Sequence, residues 1–216
     1  MTIESFLQNL TNGVSLGALY ALIAIGYTMV YGILRLINFA HGDLVMLGAY
    51  IAYYGVAMFM LPWWLAFPLA ILLTTLIGIV IEKAAYKPLR EFPRINLFAA
   101  AVAVAFLLEN LAIVIFGGRP KAFARPAFLD LLLNIGKISF VSYTPVIIIT
   151  AIVLCTVLIV IISRTKAGMA MRALSKDIET TGLMGVNTNR IIMFAFMLGS
   201  ALAAAGGILW AIKFPQ

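Results

Sequence analysis

A polar stretch, Arg164–Arg190, reads RTKAGMAMRALSKDIETTGLMGVNTNR and lies between two long apolar runs, Pro145–Ser163 and Ile191–Ile212. Each run is close to the roughly 20 apolar residues that a spanning helix needs. The stretch between them carries Arg164, Lys166, Arg172, Lys176 and Arg190 against Asp177 and Glu179. An insert this polar cannot sit in hydrocarbon, so it protrudes into water, and its excess of Lys and Arg places it in the cytoplasm. It also reads as a short amphipathic helix. Met169, Arg172, Ala173, Lys176 and Thr180 recur three and four apart, as do Ala170, Leu174 and Ile178 on a more apolar face. Gly182 and Gly185 are its expected stops. A cytoplasmic helix tied directly to the next spanning run is placed to carry force from a soluble partner.

The same length criterion gives six spanning candidates: Val14–Ile33, Asp43–Met60, Trp64–Ile81, Leu97–Phe116, Pro145–Ser163 and Ile191–Ile212. Charged residues make up only 11% of the chain, against about 25% in soluble domains. The expectation is an all-α integral membrane protein. Residues 1–216 form a single polytopic transmembrane domain of about six spanning helices, with the cytoplasmic loop 164–190 inside it. With the N-terminus outside, the inner segments hold Arg35, Lys83, Lys87, Arg90, Arg94, Arg164, Lys166, Arg172, Lys176 and Arg190. The outer segments hold Arg119, Lys121, Arg125, Lys137 and Lys213. That bias favours N-outside, and Trp63, Trp64 and Trp210 then fall at the outer interface. The net charge of +7 belongs to these loops, so it implies lipid headgroups and no nucleic acid. The one cysteine, Cys155, lies in an apolar run and reads as a small buried apolar residue. The start, MTIESFLQNLTNG, lacks the basic residues of a cleaved signal peptide.

Two motifs resemble one family. G168-M-A-M-R-A, Asp177, L-M-G-V-N at 183–187, Arg190, F196-M-L-G199 and A201-L-A are similar to the coupling loop of bacterial ABC-transporter permeases, and more narrowly of the branched-chain amino-acid (Liv-type, H-subunit-like) permeases. N38-F-A-H-G-D-L-V-M-L-G-A-Y50 is similar to that family's N-x-A-H-G…M-x-G-A-Y signature. The resemblance implies that Gly168, Arg172, Asp177, Gly185, Asn187 and Arg190 serve coupling to an ATPase. It also implies a second permease subunit, ATP-binding-cassette subunits, a periplasmic amino-acid-binding protein, and the bacterial inner membrane. The chain departs from the pattern in reading Ala203-Ala204-Ala205-Gly206-Gly207 near its end. Family members usually continue through further spanning helices, so the expectation is a shortened permease or one without its C-terminal part.

Residues 34–43, LRLINFAHGD, are too apolar for a free loop and too polar for a lipid-facing span. Asn38 and Asp43 suit N-caps, and Gly42 breaks helix cheaply. One reading is a broken or re-entrant segment followed by a helix, lining a substrate path through Asn38, His41, Gly42 and Asp43. The other is a tight cytoplasmic turn with a capping Asp. Glu109 is the acidic residue well inside a span. Sharing a face with Ala101 and Ala105, it is expected to point at a packed neighbour, either as part of the path or as a hydrogen-bonded structural group, with Asn110, Tyr20, Tyr27 or Tyr31 within the choice of partners. Small residues at spacing four, Gly13, Gly17 and Ala21 and then Gly199, Ala203 and Gly207, read as packing faces. The segment 82–96, with Pro88 and Pro93, reads as a rigid loop on headgroups. The outer segment after Gly117 ends in a strand or hairpin around IGKISFVSY, and Arg119, Lys121 and Arg125 are candidate contacts for a binding protein.

No G-x-x-x-x-G-K-[ST] occurs in the chain, so ATP is hydrolysed on another subunit. No cofactor, metal site or enzymatic activity is expected. The function implied is a permease subunit for branched-chain amino acids. Urea and short amides are alternative substrates within the same family. An intramembrane serine protease using Ser200 and His41 is the rival from another class; a passive channel leaves the insert unexplained.

Overall fold

The computed structural model describes residues 3–135 and 138–215. Among them six long helices make the bundle: α1 (Ile3–Leu34), α2 (Ala40–Ala57), α3 (Trp63–Ile81), α4 (Arg94–Phe116), α5 (Tyr143–Arg164) and α8 (Thr188–Lys213). Two short helices, α6 (Lys166–Leu174) and α7 (Ile178–Leu183), fill the polar insert. Five of the long helices are apolar and long enough to cross a bilayer. The exception is α2, whose 18 residues include His41, Asp43 and three tyrosines.

α1, α2 and α3 pack around α8, while α4 lies on α2 and α5 mainly on α1. In α8, 67% of the apolar window is buried, against 17–28% in the other four crossing helices. Small residues make that centrality possible, because in lipid helices associate by close backbone approach rather than by hydrophobic expulsion. Gly207 lies against the backbone of Val45 and Ala49, Gly48 against Ala204, Gly199 against Gly26, and Gly78 against Ser200. The expected stripe on α8 is therefore a packing face. The stripe on α1 is not: a side chain added at Gly13 or Gly17 would meet nothing. The buried face of α1 is Ser15, Leu19, Leu22, Val30 and Ile33 instead.

At the inner end of α3 the helix widens into a π-helical turn, Glu82–Tyr86, followed by a 3₁₀ turn, Lys87–Leu89. A π turn inserts one residue into the ladder and commonly marks functional positions. Glu82 and Tyr86 are both buried there, while Lys83, Lys87 and residues 91–95 are exposed, so the start of the expected 82–96 loop is tied into the packed structure. At the outer end, strands β1 (Leu132–Ile135) and β2 (Ile138–Val141) pair antiparallel as the expected hairpin. Lys137, counted above as an outer cation, and Gln216 lie outside the described residues.

Candidate functional site

The polar insert is two helices rather than one, and its candidate residues build its frame. After α5, Thr165 takes an extended conformation and its hydroxyl accepts from the Gly168 amide at 3.0 Å. Gly168 then sits directly on the Ile161 and Ile162 carbonyls, where no side chain fits. Arg172 donates to the Ile162 carbonyl. These three contacts close an elbow between α5 and α6. Met171 and Leu174 bury the inner face of α6 in the core, so the buried face is Gly168, Met171 and Leu174. The face expected from Ala170, Leu174 and Ile178 is corrected accordingly, because the helix ends between Leu174 and Ile178.

The break between α6 and α7 comes from Asp177. Its carboxylate accepts from the Glu179 and Thr180 amides at 2.9 and 3.1 Å, which caps α7. The Thr180 hydroxyl adds a further bond, and together these donors hold the Asp177 carboxyl below the usual carboxylate range. Gly182 lies within α7, but Gly185 ends the turn at φ 83, a conformation that suits glycine. Asn187 caps α8 by accepting from the Arg190 amide at 3.1 Å. So Gly168, Arg172, Asp177, Gly185, Asn187 and the Arg190 backbone shape the insert.

Among the mostly polar residues that the insert exposes stand large apolar side chains. Leu183 is 83% exposed, Met184 80% and Met169 62%. Spacing put Met169 on the more polar helix face, and Leu183 and Met184 fell in the L-M-G-V-N motif, without an exposed apolar surface being expected. The signal was available: L-M sits between two glycines, Gly182 and Gly185, in an otherwise polar loop.

The 34–43 segment is non-helical only between Leu34 and Ala40. α1 ends at Leu34 and Arg35 turns the chain at φ 50. His41 then lies beside Gly26, eight residues before the end of α1, which at about 1.5 Å per residue is roughly 12 Å inside that end. His41 Nε2 lies 3.1 Å from the Ile23 carbonyl, and because a carbonyl only accepts, this nitrogen carries the proton. Asn38 is buried and accepts from the Tyr86 hydroxyl at 2.8 Å. Neither Asn38 nor Asp43 caps a helix. α2 begins at Ala40 after Phe39 without a side-chain cap, and Asp43 lies in its first turn. Gly42 is inside α2, not in the break.

Above the break, α1, α2, α8 and the outer segment enclose a cleft of about 780 Å³. Gly42, Val45, Met46, Tyr50, Tyr53 and Trp210 line it, with Arg119 and Lys121 at its rim. A side chain at Gly42 would meet open space. Asp43 interacts electrostatically with Glu109 of α4. Glu109 is exposed on its helix, contrary to the expected packed position; Ala101 on the same helix is the buried member of that face. Asn110 is occupied with the Phe106 carbonyl, and Tyr27 packs edge-on to His41. Ser200 faces Gly78 of α3 while His41 is held by α1, so the proposed nucleophile and base are not paired. No group of three metal-binding side chains occurs among the described residues.

Over residues 9–215 the chain matches the family described as branched-chain amino acid transport system / permease component. It is 36% identical to the high-affinity branched-chain amino acid transport system permease protein BraD of Pseudomonas aeruginosa, over 98% of this chain and 73% of that protein. It is also 36% identical to the permease protein LivH of Escherichia coli K12, over 94% of this chain and 70% of that protein. The ribose import permease protein RbsC of Haemophilus influenzae is 27% identical, over 94% and 60% respectively. No solved structure gives a significant match.

Proposed function

We propose, from the premise that this chain belongs to the branched-chain amino acid permease family, that it is the membrane-spanning subunit of an ATP-driven importer for leucine, isoleucine and valine in a bacterial inner membrane. The observation that carries the reading is the exposed Met169, Leu183 and Met184 on the insert. Large apolar side chains exposed on an otherwise polar insert mark an interaction surface. The basic bias of the insert puts that surface in the cytoplasm, where a separate ATPase subunit binds it. Gly168, Arg172, Asp177, Gly185, Asn187 and Arg190 act in coupling by fixing the shape of the insert.

The substrate enters through the cleft on the outer side. Its apolar and aromatic lining suits aliphatic side chains, and Gly42 leaves room at its inner end. Arg119 and Lys121 at the rim meet a periplasmic binding protein. Asp43 and Glu109 cannot face lipid cheaply as charged groups, so the α2–α4 face is covered by the second permease subunit. Transport alternates this cleft with an inward opening as the ATPases close on the insert.

The test is uptake into proteoliposomes holding this chain, its second permease and the ATPases, with purified binding protein outside. Branched-chain amino acids are expected to compete with labelled leucine and to raise ATP hydrolysis. Ribose, urea and short amides serve as rivals. Stimulation by one of these, without leucine transport, reassigns the substrate within the same family.

A further inference from the structure

We infer that Arg35 and Tyr86 are positioning residues that pass displacement of the cytoplasmic insert to the inner end of α2, an inference that rests on the insert being the ATPase docking surface. Two contacts carry it. Arg35 holds a positive φ of 50, which a non-glycine residue adopts only when its surroundings enforce it. Its guanidinium donates to the Ser175 and Lys176 carbonyls at 3.1 and 3.5 Å, across 140 residues of sequence. Those carbonyls close the end of α6, where a cation also meets the negative end of the helix dipole. One residue thus ends α1, starts the break and caps the insert.

The second contact reaches the other end of the insert. Arg90 donates to the Asn189 side chain in the first turn of α8 at 2.9 Å and pairs with Glu82. Glu82 opens the π turn, and Tyr86 closes it. From there the Tyr86 hydroxyl bonds Asn38 in the middle of the break. The residues between Arg35 and His41 are therefore tied to the insert on both sides, and Gly42 follows at the cleft. The Tyr86–Asn38 bond holds geometry well because both residues are buried and solvent does not reach the Asn38 side-chain oxygen.

The experiment uses the assembled complex with loaded binding protein. Arg35→Gly keeps the positive φ without strain and removes the guanidinium; Tyr86→Phe removes the hydroxyl alone. Both are expected to retain the ATPase and basal hydrolysis, while binding-protein stimulation falls roughly tenfold, the effect of losing one such bond. Arg35→Lys should restore part of it. Stimulation within twofold of wild type in Arg35→Gly with the ATPase still bound overturns the inference, and that variant decides alone if Tyr86→Phe fails to insert. Leu183→Asp is run in parallel. If it keeps the ATPase, the docking reading fails and takes this inference with it. If it loses the ATPase while Arg35→Gly is fully stimulated, only the inference fails.

Discussion

Arg172 is exposed on α6 and its guanidinium donates to the Ile162 carbonyl at the end of α5. Its positive charge sits where the carbonyl dipoles of α5 converge, so it braces the elbow that aims α6. Replacing it with Glu sets a carboxylate against those carbonyls. Arg172→Glu is expected to leave membrane insertion intact and to speed protease cleavage near Lys166 in inside-out vesicles by roughly tenfold, the scale of one charged hydrogen bond. Arg172→Lys, which keeps a donor, should be close to wild type. Equal cleavage of all three would mean the elbow is held by Gly168 and Thr165 alone.

Helix crossings at glycine give a sharper contrast. Gly207 touches the Val45 backbone, and a Cβ added at Gly48 would lie 2.6 Å from the Ala204 α-carbon. Backbone cannot move aside as a side chain does, so Gly207→Val or Gly48→Leu should cost more than the ~1–3 kcal/mol of ordinary overpacking. Loss of a monodisperse peak in detergent is the readout. Gly17→Val, with open space around it, should fold normally.

That contrast also shows what was legible in the sequence. Spacing of small residues identified both stripes but could not say which one meets a neighbour, because orientation of α1 is set by tertiary packing around α8. The spans were readable because an apolar run of fixed length has one solution in a bilayer. An interruption within 34–43 was readable from its mixed polarity, though the helix resumes at Ala40, between the starts that caps at Asn38 and Asp43 would have set. Its partner Tyr86 was not, since nothing local links residues 38 and 86. The insert was found, but its helix was read through Ser175–Asp177 because periodicity ignores that Asp177 prefers to cap. Glu109 was turned inward on the strength of Ala101 and Ala105, yet along that face burial falls from Ala101, which is buried, to Glu109, which is exposed.

Asp177 gives a pH-dependent signature. Its folded carboxyl titrates below its ordinary value, so its cap supports α7 fully above that ordinary value and is lost as pH falls through the lower, folded one. Hydrogen exchange of the Glu179 and Thr180 amides should be unchanged, after correction for intrinsic rates, from pH 7 to pH 5, and should lose protection only below about pH 4. Asp177→Asn still caps and should keep protection at neutral pH; Asp177→Ala should lose it. Protection unchanged in Asp177→Ala would remove this residue from the frame of the insert.

Gly42 separates a path from a plain turn. Gly42→Leu fills open space beside the cleft without touching the core. It should insert, assemble and bind the ATPase, yet abolish uptake. Near-normal uptake would exclude the cleft as the route.

The measurement that tests the account most directly is ATPase co-purification with Leu183→Asp/Met184→Asp. Orientation is checked in the same cells: cysteine at Lys176 should resist an impermeant thiol reagent, and cysteine at Lys121 should react. Each buried side chain of this size contributes about 1.5–3 kcal/mol, so the double change should weaken association by well over a hundredfold while insertion stays at wild-type level. Gly185→Val, which forces a β-branched residue into φ 83, should act in the same direction by misplacing both side chains. Loss of the ATPase from the purified complex is the predicted result. Wild-type association and wild-type stimulation by loaded binding protein in these variants would contradict the account, because the insert would then be a solvated loop.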